Sequence, residues 1–391
     1  MLPVFKASLR NASVFAVLLL AGEPAHAGAI ITQTNLVSDI AGFATITDPL
    51  LKNPWGFSHS AGSPFWVSNQ GTNTSTLYAV TGSTNVSKVP INGTGFVSIP
   101  TTASGGPQGP TGQVNNGNTG SFPVNNGGSG TRASFIFANL NGTISAWNAG
   151  STSFIQATVP GAVFTGLAIN QLQTQLYAAN AATGGINVFD SAFGQVSVGA
   201  GAFATPPAIS NLGLVPFNVQ DIGGKLYVTY APAGRAAQIA ATGGQGAIAI
   251  FDEAGVLQNT IINGELASPW GLAIAPVGFG DFGNALLVGN FSFVDSEINA
   301  FDSITGAFLG SIAINTGSNT PGGLWQIGFG NGGSNGDPNT LYFTDGLNGE
   351  KDGLFGAITA VPEPLTISLY CAGLMGVMGL TVMRRRKPRI A

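Results

Sequence analysis

The sequence predicts an all-β fold assembled from repeated units, and three observations carry that prediction. The 391 residues include 58 glycines and 44 % hydrophobic residues, and only 8 % are charged. Short apolar runs alternate with turns rich in Gly, Asn and Ser along most of the chain, which is typical of many short strands. A motif with tryptophan or phenylalanine at its centre returns at a nearly constant interval, and repeated units build one continuous core by stacking.

The interval of the repeat is about 54 residues. The motif PWG at Pro54–Gly56 returns at Pro269–Gly271, and weaker copies lie between and after these two. The six central residues are Trp55, Thr111, Thr165, Phe217, Trp270 and Trp325. Each copy is followed by an apolar run, a turn, an alternating strand and usually a fourth strand. Four strands in each of six units predict a six-bladed β-propeller over 28–361, with blades starting near 54, 110, 164, 216, 269 and 324.

The last unit lacks a fourth strand, because the repeat stops near Ala360. The stretch ITQTNLVSD at 31–39 precedes the first unit and belongs to none. We therefore expect this N-terminal strand to join the sixth blade and close the ring, since open sheet edges invite aggregation. The recurring glycine should let the innermost strands approach each other, and the preceding aromatic residue should wedge between blades. The Gly- and Asn-rich stretch 104–130 contains the first strand of the second blade, a poor strand by composition, and then predicts a long mobile loop.

Both ends of the chain have the composition of targeting signals. Residues 1–27 combine Lys6 and Arg10 with a short apolar run and small residues before Ala27, which predicts a signal peptide for Sec export, cleaved after Ala27. The alternative is a retained anchor, for which the apolar run is short. Near the other end, 365–383 is uncharged and long enough for a transmembrane helix, and Arg384, Arg385, Arg386 and Lys387 follow it. The basic cluster predicts a cytoplasmic tail and a body outside the inner membrane.

The segment 362–391 resembles a PEP-CTERM sorting signal, in which Pro362, Glu363 and Pro364 precede the apolar helix and the arginines. The resemblance implies an exosortase partner, removal of the helix, and delivery to the cell surface or extracellular matrix. The alternative is a plain C-terminal anchor after a stiff linker. The body resembles six-bladed propellers of the NHL type, and the stretches TNLVSD (34–39) and NPWGFS (53–58) resemble a PEP-CTERM propeller family of unassigned function.

Few residues offer catalytic chemistry. His59 would be the sole histidine of the mature protein, and Cys371 lies in the C-terminal apolar run. Fifteen acidic and six basic residues between 28 and 361 argue against a nucleic-acid partner. Six-bladed calcium-dependent esterases and lactonases hold their metal with channel carboxylates, and the central residues of this repeat include none. The sequence thus favours a protein without catalytic residues or a cofactor, with a calcium-dependent hydrolase as the alternative.

Two sets of residues are candidate sites. The first is a rim of polar and aromatic side chains for a neutral glycan at one channel mouth, and the alternative is that its polar members only form turns. It consists of Asn69, Asn139, Asn180, Tyr230, Asn290 and Asp345, with Trp55, Trp270 and Trp325.

The second set is a loop that could bind calcium, or else a solvated hairpin tip, and it contains Asp345, Asn348, Glu350 and Asp352. Three functions follow from these candidates: a surface or matrix binding protein for an envelope polysaccharide, a channel-metal hydrolase, or a periplasmic protein-binding scaffold.

Overall fold

A four-stranded sheet recurs six times around a central channel in the computed structural model, which describes residues 30–101 and 108–361. The predicted all-β, six-bladed propeller with four-stranded blades is therefore confirmed. Before the first repeat lie β1 (Ile30–Ser38) and β2 (Ile46–Thr47). The first blade contains β3 (Pro54–Ser58), β4 (Phe65–Asn69), β5 (Thr74–Thr81) and β6 (Asn85–Lys88), and β7 (Phe96–Ser98) also pairs with β5.

The next three blades follow in chain order. The second contains β8 (Pro110–Asn115), β9 (Phe135–Asn139), β10 (Thr143–Trp147) and β11 (Phe154–Thr158). The third contains β12 (Phe164–Ile169), β13 (Leu176–Asn180), β14 (Gly185–Phe189) and β15 (Gln195–Val196). The fourth contains β16 (Leu214–Ile222), β17 (Lys225–Pro232), β18 (Ala247–Asp252) and β19 (Leu257–Ile261).

The last two blades differ in how they are completed. The fifth contains β20 (Pro269–Ile274), β21 (Leu286–Asn290), β22 (Glu297–Phe301) and β23 (Phe308–Ala313). The sixth contains β24 (Pro321–Phe329), β25 (Thr340–Leu347) and β26 (Asp352–Val361), and its fourth strand is β1. Strands β1 and β26 are antiparallel, and Ile30 pairs with Val361 at their ends. The N-terminal segment thus joins the first part of the ring to the last.

Helices are few and short in the described part of the chain. The α-helices are α1 (Pro207–Ser210) and α2 (Arg235–Ile239), and single 3₁₀ turns occur at Gln70–Thr72 and Gly280–Phe282. None of these helices is long and apolar enough to cross a membrane. The predicted signal peptide, sorting motif and transmembrane helix at 365–383 lie outside the described residues.

The hydrophobic core lies mainly between neighbouring blades. Alternate side chains of a strand point to opposite faces of its sheet, and in a propeller both faces meet another blade. Leu167 and Ile136, for example, belong to the cluster between the second and third blades, and Leu324 and Leu287 to the one between the fifth and sixth. This arrangement explains why the second strands are buried at every position in five blades, and at all but the two end residues in the fourth.

The recurring glycine acts as the sequence predicted. A Cβ atom on Gly112 would lie 2.3 Å from the backbone nitrogen of Leu167 in the next blade, and one on Gly271 would lie 2.2 Å from the carbonyl oxygen of Trp325. Both contacts are with backbone, which cannot move aside as a flexible side chain would. The innermost strands of the second and fifth blades therefore pack around the channel at a distance that only glycine permits.

The stretch 104–130 contains the innermost strand of the second blade, as predicted, at Pro110–Asn115. The loop after this strand packs inward, so its described part is not the excursion from the body that its composition predicted. Phe122 and Val124 are fully buried, and the ring of Phe122 lies 5.1 Å from that of Phe193 in the third blade. Phe122 and Val124 are two apolar residues in a largely polar segment, and their burial fixes the loop against the core.

Candidate functional site: a pocket above an aromatic plug in the channel

Five aromatic side chains fill the channel near the face where the innermost strands begin. This aromatic plug consists of Trp55, Phe217, Trp270, Phe291 and Trp325. The rings of Trp55 and Trp325 are stacked with centroids 3.5 Å apart, and Trp270 meets both edge-on at 6.2 Å and 5.6 Å. The residue before the recurring glycine therefore packs against its counterparts across the channel, and the predicted position between blades is wrong.

The three indole N–H groups of the plug differ in their partners. Trp270 Nε1 donates to the carbonyl oxygen of Thr165 across the channel at 2.9 Å, and Trp325 Nε1 donates to Asn53 Oδ1 at 2.9 Å. Trp55 is only 4 % exposed, and its Nε1 has no hydrogen-bond partner within residues 30–101 and 108–361. A buried donor of this kind is costly unless something else accepts its hydrogen bond.

A cavity of about 410 Å³ lies directly above this indole. We call it the mouth pocket, and its wall includes Trp55, Leu140, Val163, Phe217, Arg235 and Glu350. The pocket forms where first strands begin and second strands end, because loops from several blades converge there. Its volume lies within the range of about 300–1,000 Å³ that is usual for small-molecule sites.

Arg235 crosses the pocket at the start of α2, a short insertion after the second strand of the fourth blade. Its guanidinium carbon lies 4.0 Å from the ring centroid of Phe291, 5.3 Å from that of Trp325 and 5.8 Å from that of Trp55. A cation in this position is attracted to the faces of the rings. The Nη2 atom forms an ion pair with Glu350, whereas Nη1 is buried and has no hydrogen-bond partner in the protein.

Burial lowers the pKa of Arg235, and the Glu350 carboxylate opposes that shift. The guanidinium stays charged at any pH of interest, because arginine starts from a very high pKa. Glu350 is fixed from a second side, since Asn53 Nδ2 donates to its Oε1 at 3.0 Å. Asn53 also donates to Gln70 Oε1 at 3.0 Å. These contacts occupy Oε1 of Glu350 and Oε1 of Gln70, whereas Trp55 Nε1 and Arg235 Nη1 have no hydrogen-bond partner among the described residues.

The polar residues of the predicted rim do not form an open ring. Each lies at the end of a second strand and is at most 1 % exposed: Asn69, Asn139, Asn180, Tyr230, Asn290 and Asp345. The asparagines bond within the protein; Asn69 Nδ2 donates to the hydroxyls of Thr74 and Thr76, at 3.1 Å and 2.9 Å. Asn290 Oδ1 accepts from the backbone nitrogen of Ala267 at 3.1 Å. These asparagines stabilise the turns at this face of the propeller, which is the role that the alternative interpretation gave to the polar residues.

Of the three tryptophans assigned to the rim, Trp55 lines the mouth pocket, and Trp270 and Trp325 lie in the plug. Sequence reasoning missed Arg235, which decides the charge of the site. One signal was present: Arg235 is one of six basic residues between 28 and 361, and it follows a glycine in an insertion after a second strand.

The predicted calcium loop does not converge on one point. Asp345 is fully buried in the sheet, and Glu350 faces Arg235. Asp352 Oδ1 lies 3.4 Å from Lys52 Nζ, and Asn348 Nδ2 donates to Asp352 Oδ2 at 2.8 Å. The oxygens are thus separated and partly occupied by cations. In residues 30–101 and 108–361, no three His, Cys, Asp or Glu side chains are placed to hold a metal ion.

His59 lies just beyond the end of β3, where its ring packs edge-on against Phe65 at 5.2 Å. Burial lowers the pKa of His59, so the ring is neutral at pH 7. Its Nδ1 lies 3.3 Å from Asn331 Nδ2. These contacts give it a structural role at the end of the first strand of the first blade.

No family model matches the chain. An uncharacterized protein of Acanthamoeba polyphaga mimivirus is 32 % identical to it over 339 residues, which cover 83 % of this chain and 78 % of the viral protein. The chain belongs to the family of this viral protein. A second uncharacterized mimivirus protein is 29 % identical over 308 residues, covering 75 % of this chain and 77 % of the viral protein.

Solved structures with a similar chain trace have low sequence identity. A hydrazine synthase of Kuenenia stuttgartiensis matches with a TM-score of 0.46 and 15 % identity, covering 78 % of this chain and 76 % of that one. A gluconolactonase of Xanthomonas campestris matches with a TM-score of 0.38 and 17 % identity, covering 59 % of this chain and 72 % of that one. A Bacteroides thetaiotaomicron protein of unknown function matches with a TM-score of 0.48 and 9 % identity, covering 84 % of this chain and 76 % of that one.

Proposed function

We propose that this protein is an exported, non-catalytic binding protein that holds one unit of an envelope or extracellular polysaccharide in the mouth pocket. The observation that carries the proposal is the indole N–H of Trp55, a buried donor without a partner among the described residues, in a side chain that lines a cavity of about 410 Å³. A sugar supplies the acceptor oxygens that this donor and Arg235 Nη1 lack. Its C–H faces can pack against the indole and against the aliphatic side chains of Leu140 and Val163.

Glycan-array binding tests the proposal, with Trp55→Phe as the deciding variant. The substitution keeps an aromatic ring in the plug but removes the donor and one ring of the indole, so we expect binding to weaken by at least about tenfold, the equivalent of one hydrogen bond. Trp147→Phe is the matched control, because Trp147 lies outside the pocket and its Nε1 already donates to the carbonyl oxygen of Gly150 at 2.8 Å. Equal binding by both variants would contradict the assignment of the pocket.

Two other functions are separated by simple measurements. A calcium-dependent hydrolase of the propeller type predicts tightly bound calcium in the purified body and an activity that chelation removes. A periplasmic protein-binding scaffold predicts capture of a protein partner without any response on the glycan array. Our proposal predicts glycan binding that persists after treatment with a chelator.

The proposal includes a route of delivery. Sec export with cleavage after Ala27 would place the body outside the inner membrane, and an exosortase would then remove the segment after the Pro362–Pro364 motif. The body would reach the cell surface or the matrix. Mass spectrometry of the mature protein from its native host tests both steps, since it measures the two termini directly. Retention of the apolar segment 365–383 in the mature protein would refute the sorting step.

A further inference from the structure

The mouth pocket is unbalanced in its hydrogen bonding. Several of its acceptors are in use: Asn53 Oδ1 accepts from Trp325 Nε1, Gln70 Oε1 accepts from Asn53, and Glu350 Oε1 accepts from Asn53 and faces Arg235. The buried polar atoms of its wall that lack a hydrogen-bond partner among the described residues are Trp55 Nε1 and the two terminal nitrogens of Arg235, and all three are donors. The pocket therefore suits a ligand that brings acceptors.

The guanidinium of Arg235 is held in place for an oxyanion. It rests on Phe291 at 4.0 Å with Trp325 and Trp55 nearby, so the rings restrict its orientation. Only one of its two terminal nitrogens has a charged partner. Arginine binds carboxylates most strongly when both oxygens engage both ends of the fork. Half of this fork therefore has no charged partner among the described residues.

Glu350 already shows that a carboxylate fits at this guanidinium. It comes from the tip of the hairpin between β25 and β26 at the surface, and its side chain is 19 % exposed. With Glu350 in place the Arg235 charge is balanced, so a second carboxylate would share one cation with it. Like charges that close repel each other. An acidic ligand would therefore bind by exchange with Glu350.

We propose that the ligand of the mouth pocket is a uronic-acid unit, whose carboxylate replaces Glu350 on Arg235 and accepts from Trp55 Nε1. This inference rests on the proposed glycan-binding function and narrows it to acidic sugars. Glu350 then acts as an internal competitor that leaves for solvent when the sugar binds. The hairpin tip is the part of the site that must move.

The test measures binding of the full mature body to uronic-acid oligosaccharides, each paired with its carboxyl-reduced form, by calorimetry or by tryptophan fluorescence. We expect the acidic member to bind about tenfold more tightly than the reduced member, which corresponds to one ion-pair exchange. Glu350→Gln should raise the affinity for the acidic member about tenfold again and leave the reduced member unchanged. Arg235→Gln should abolish the difference between the two members.

Glu265→Gln is the matched control, because it removes the same charge from an exposed residue before β20, outside the pocket. It should not change the affinity for either sugar, and melting temperatures should verify that each variant is folded. Equal binding of acidic and reduced sugars, in the wild type and in Glu350→Gln, would overturn the uronic-acid inference and leave the proposed glycan site standing. Binding of neither member of any pair would overturn both.

Discussion

Asp345 should make the propeller lose stability as the pH rises from 4 to 8. Its carboxyl group is fully buried, and neither oxygen has a hydrogen-bond partner in the protein. The equivalent residue of the first blade, Asn69, bonds to the hydroxyls of Thr74 and Thr76. In the sixth blade the matching positions on β26 are Leu354 and Gly356, which offer no hydroxyl.

Burial raises the pKa of Asp345 from 3.8 to about 8. Below pH 3.8 both the folded and the unfolded chain carry the proton, and the full stability is present. Between these two values the unfolded chain releases the proton while the folded chain keeps it, so each pH unit lowers the free energy of unfolding by about 1.4 kcal/mol. The accumulated loss at pH 7 is about 4 kcal/mol, and it levels off above pH 8.

The variant Asp345→Asn isolates this effect, because an amide has nearly the shape of the protonated acid and does not ionise. Urea unfolding of both proteins at pH 4, 5, 6, 7 and 8 gives two curves of stability against pH. We expect the curves to be close at pH 4 and to diverge with the variant more stable, by about 4 kcal/mol at pH 7. All other titrating groups are common to both proteins. Parallel curves over this range would refute the reasoning about Asp345.

Three further predictions concern the ring. Gly271→Ala should lower the free energy of unfolding, measured with urea, by about 3 kcal/mol, because the new Cβ would collide with backbone. Gly264→Ala, which has open space around it, should lower it by less than about 1 kcal/mol. Leu36→Ala in β1 should lower the free energy of unfolding by about 3 kcal/mol, because Leu36 is fully buried. The same change at Ile31, which is 36 % exposed, should have little effect. Equal losses for the two variants would argue against closure of the ring by β1. Trp270→Phe should lower the melting temperature through loss of the hydrogen bond to Thr165, and an unchanged value would show that this bond adds nothing.

The sequence predicted the architecture because the architecture is repeated. Each blade presents the same order of apolar run, turn and alternating strand, so six weak signals support one another. The recurring glycine of the innermost strands was predictable for the same reason. Strands from six blades meet at one axis, and a side chain at Gly112 or Gly271 would collide with the backbone of the next blade. Even the partner of 31–39 followed from a missing strand in the last repeat.

The candidate site was less predictable because it depends on what differs between blades. Arg235 belongs to an insertion found in one blade, and its partners Phe291 and Glu350 come from two others. No local pattern links these three residues. The asparagines at the strand ends were located correctly, yet their side chains bond inward, and only the three-dimensional contacts of a residue such as Asn69 reveal that direction.

The pairing of Ile30 with Val361 also fixes an order of events in the making of the molecule. Strand β1 is synthesised before any of the six repeats, but its hydrogen-bonding partner β26 is synthesised last. During biosynthesis, β1 emerges with only β2 beside it, and its edge toward β26 stays unpaired while some three hundred residues follow. Long-range pairings of this kind form slowly. In a chain permuted to begin at β3 and to carry β1 after β26, these two strands would be neighbours in sequence and would form a hairpin. We expect such a chain to refold faster.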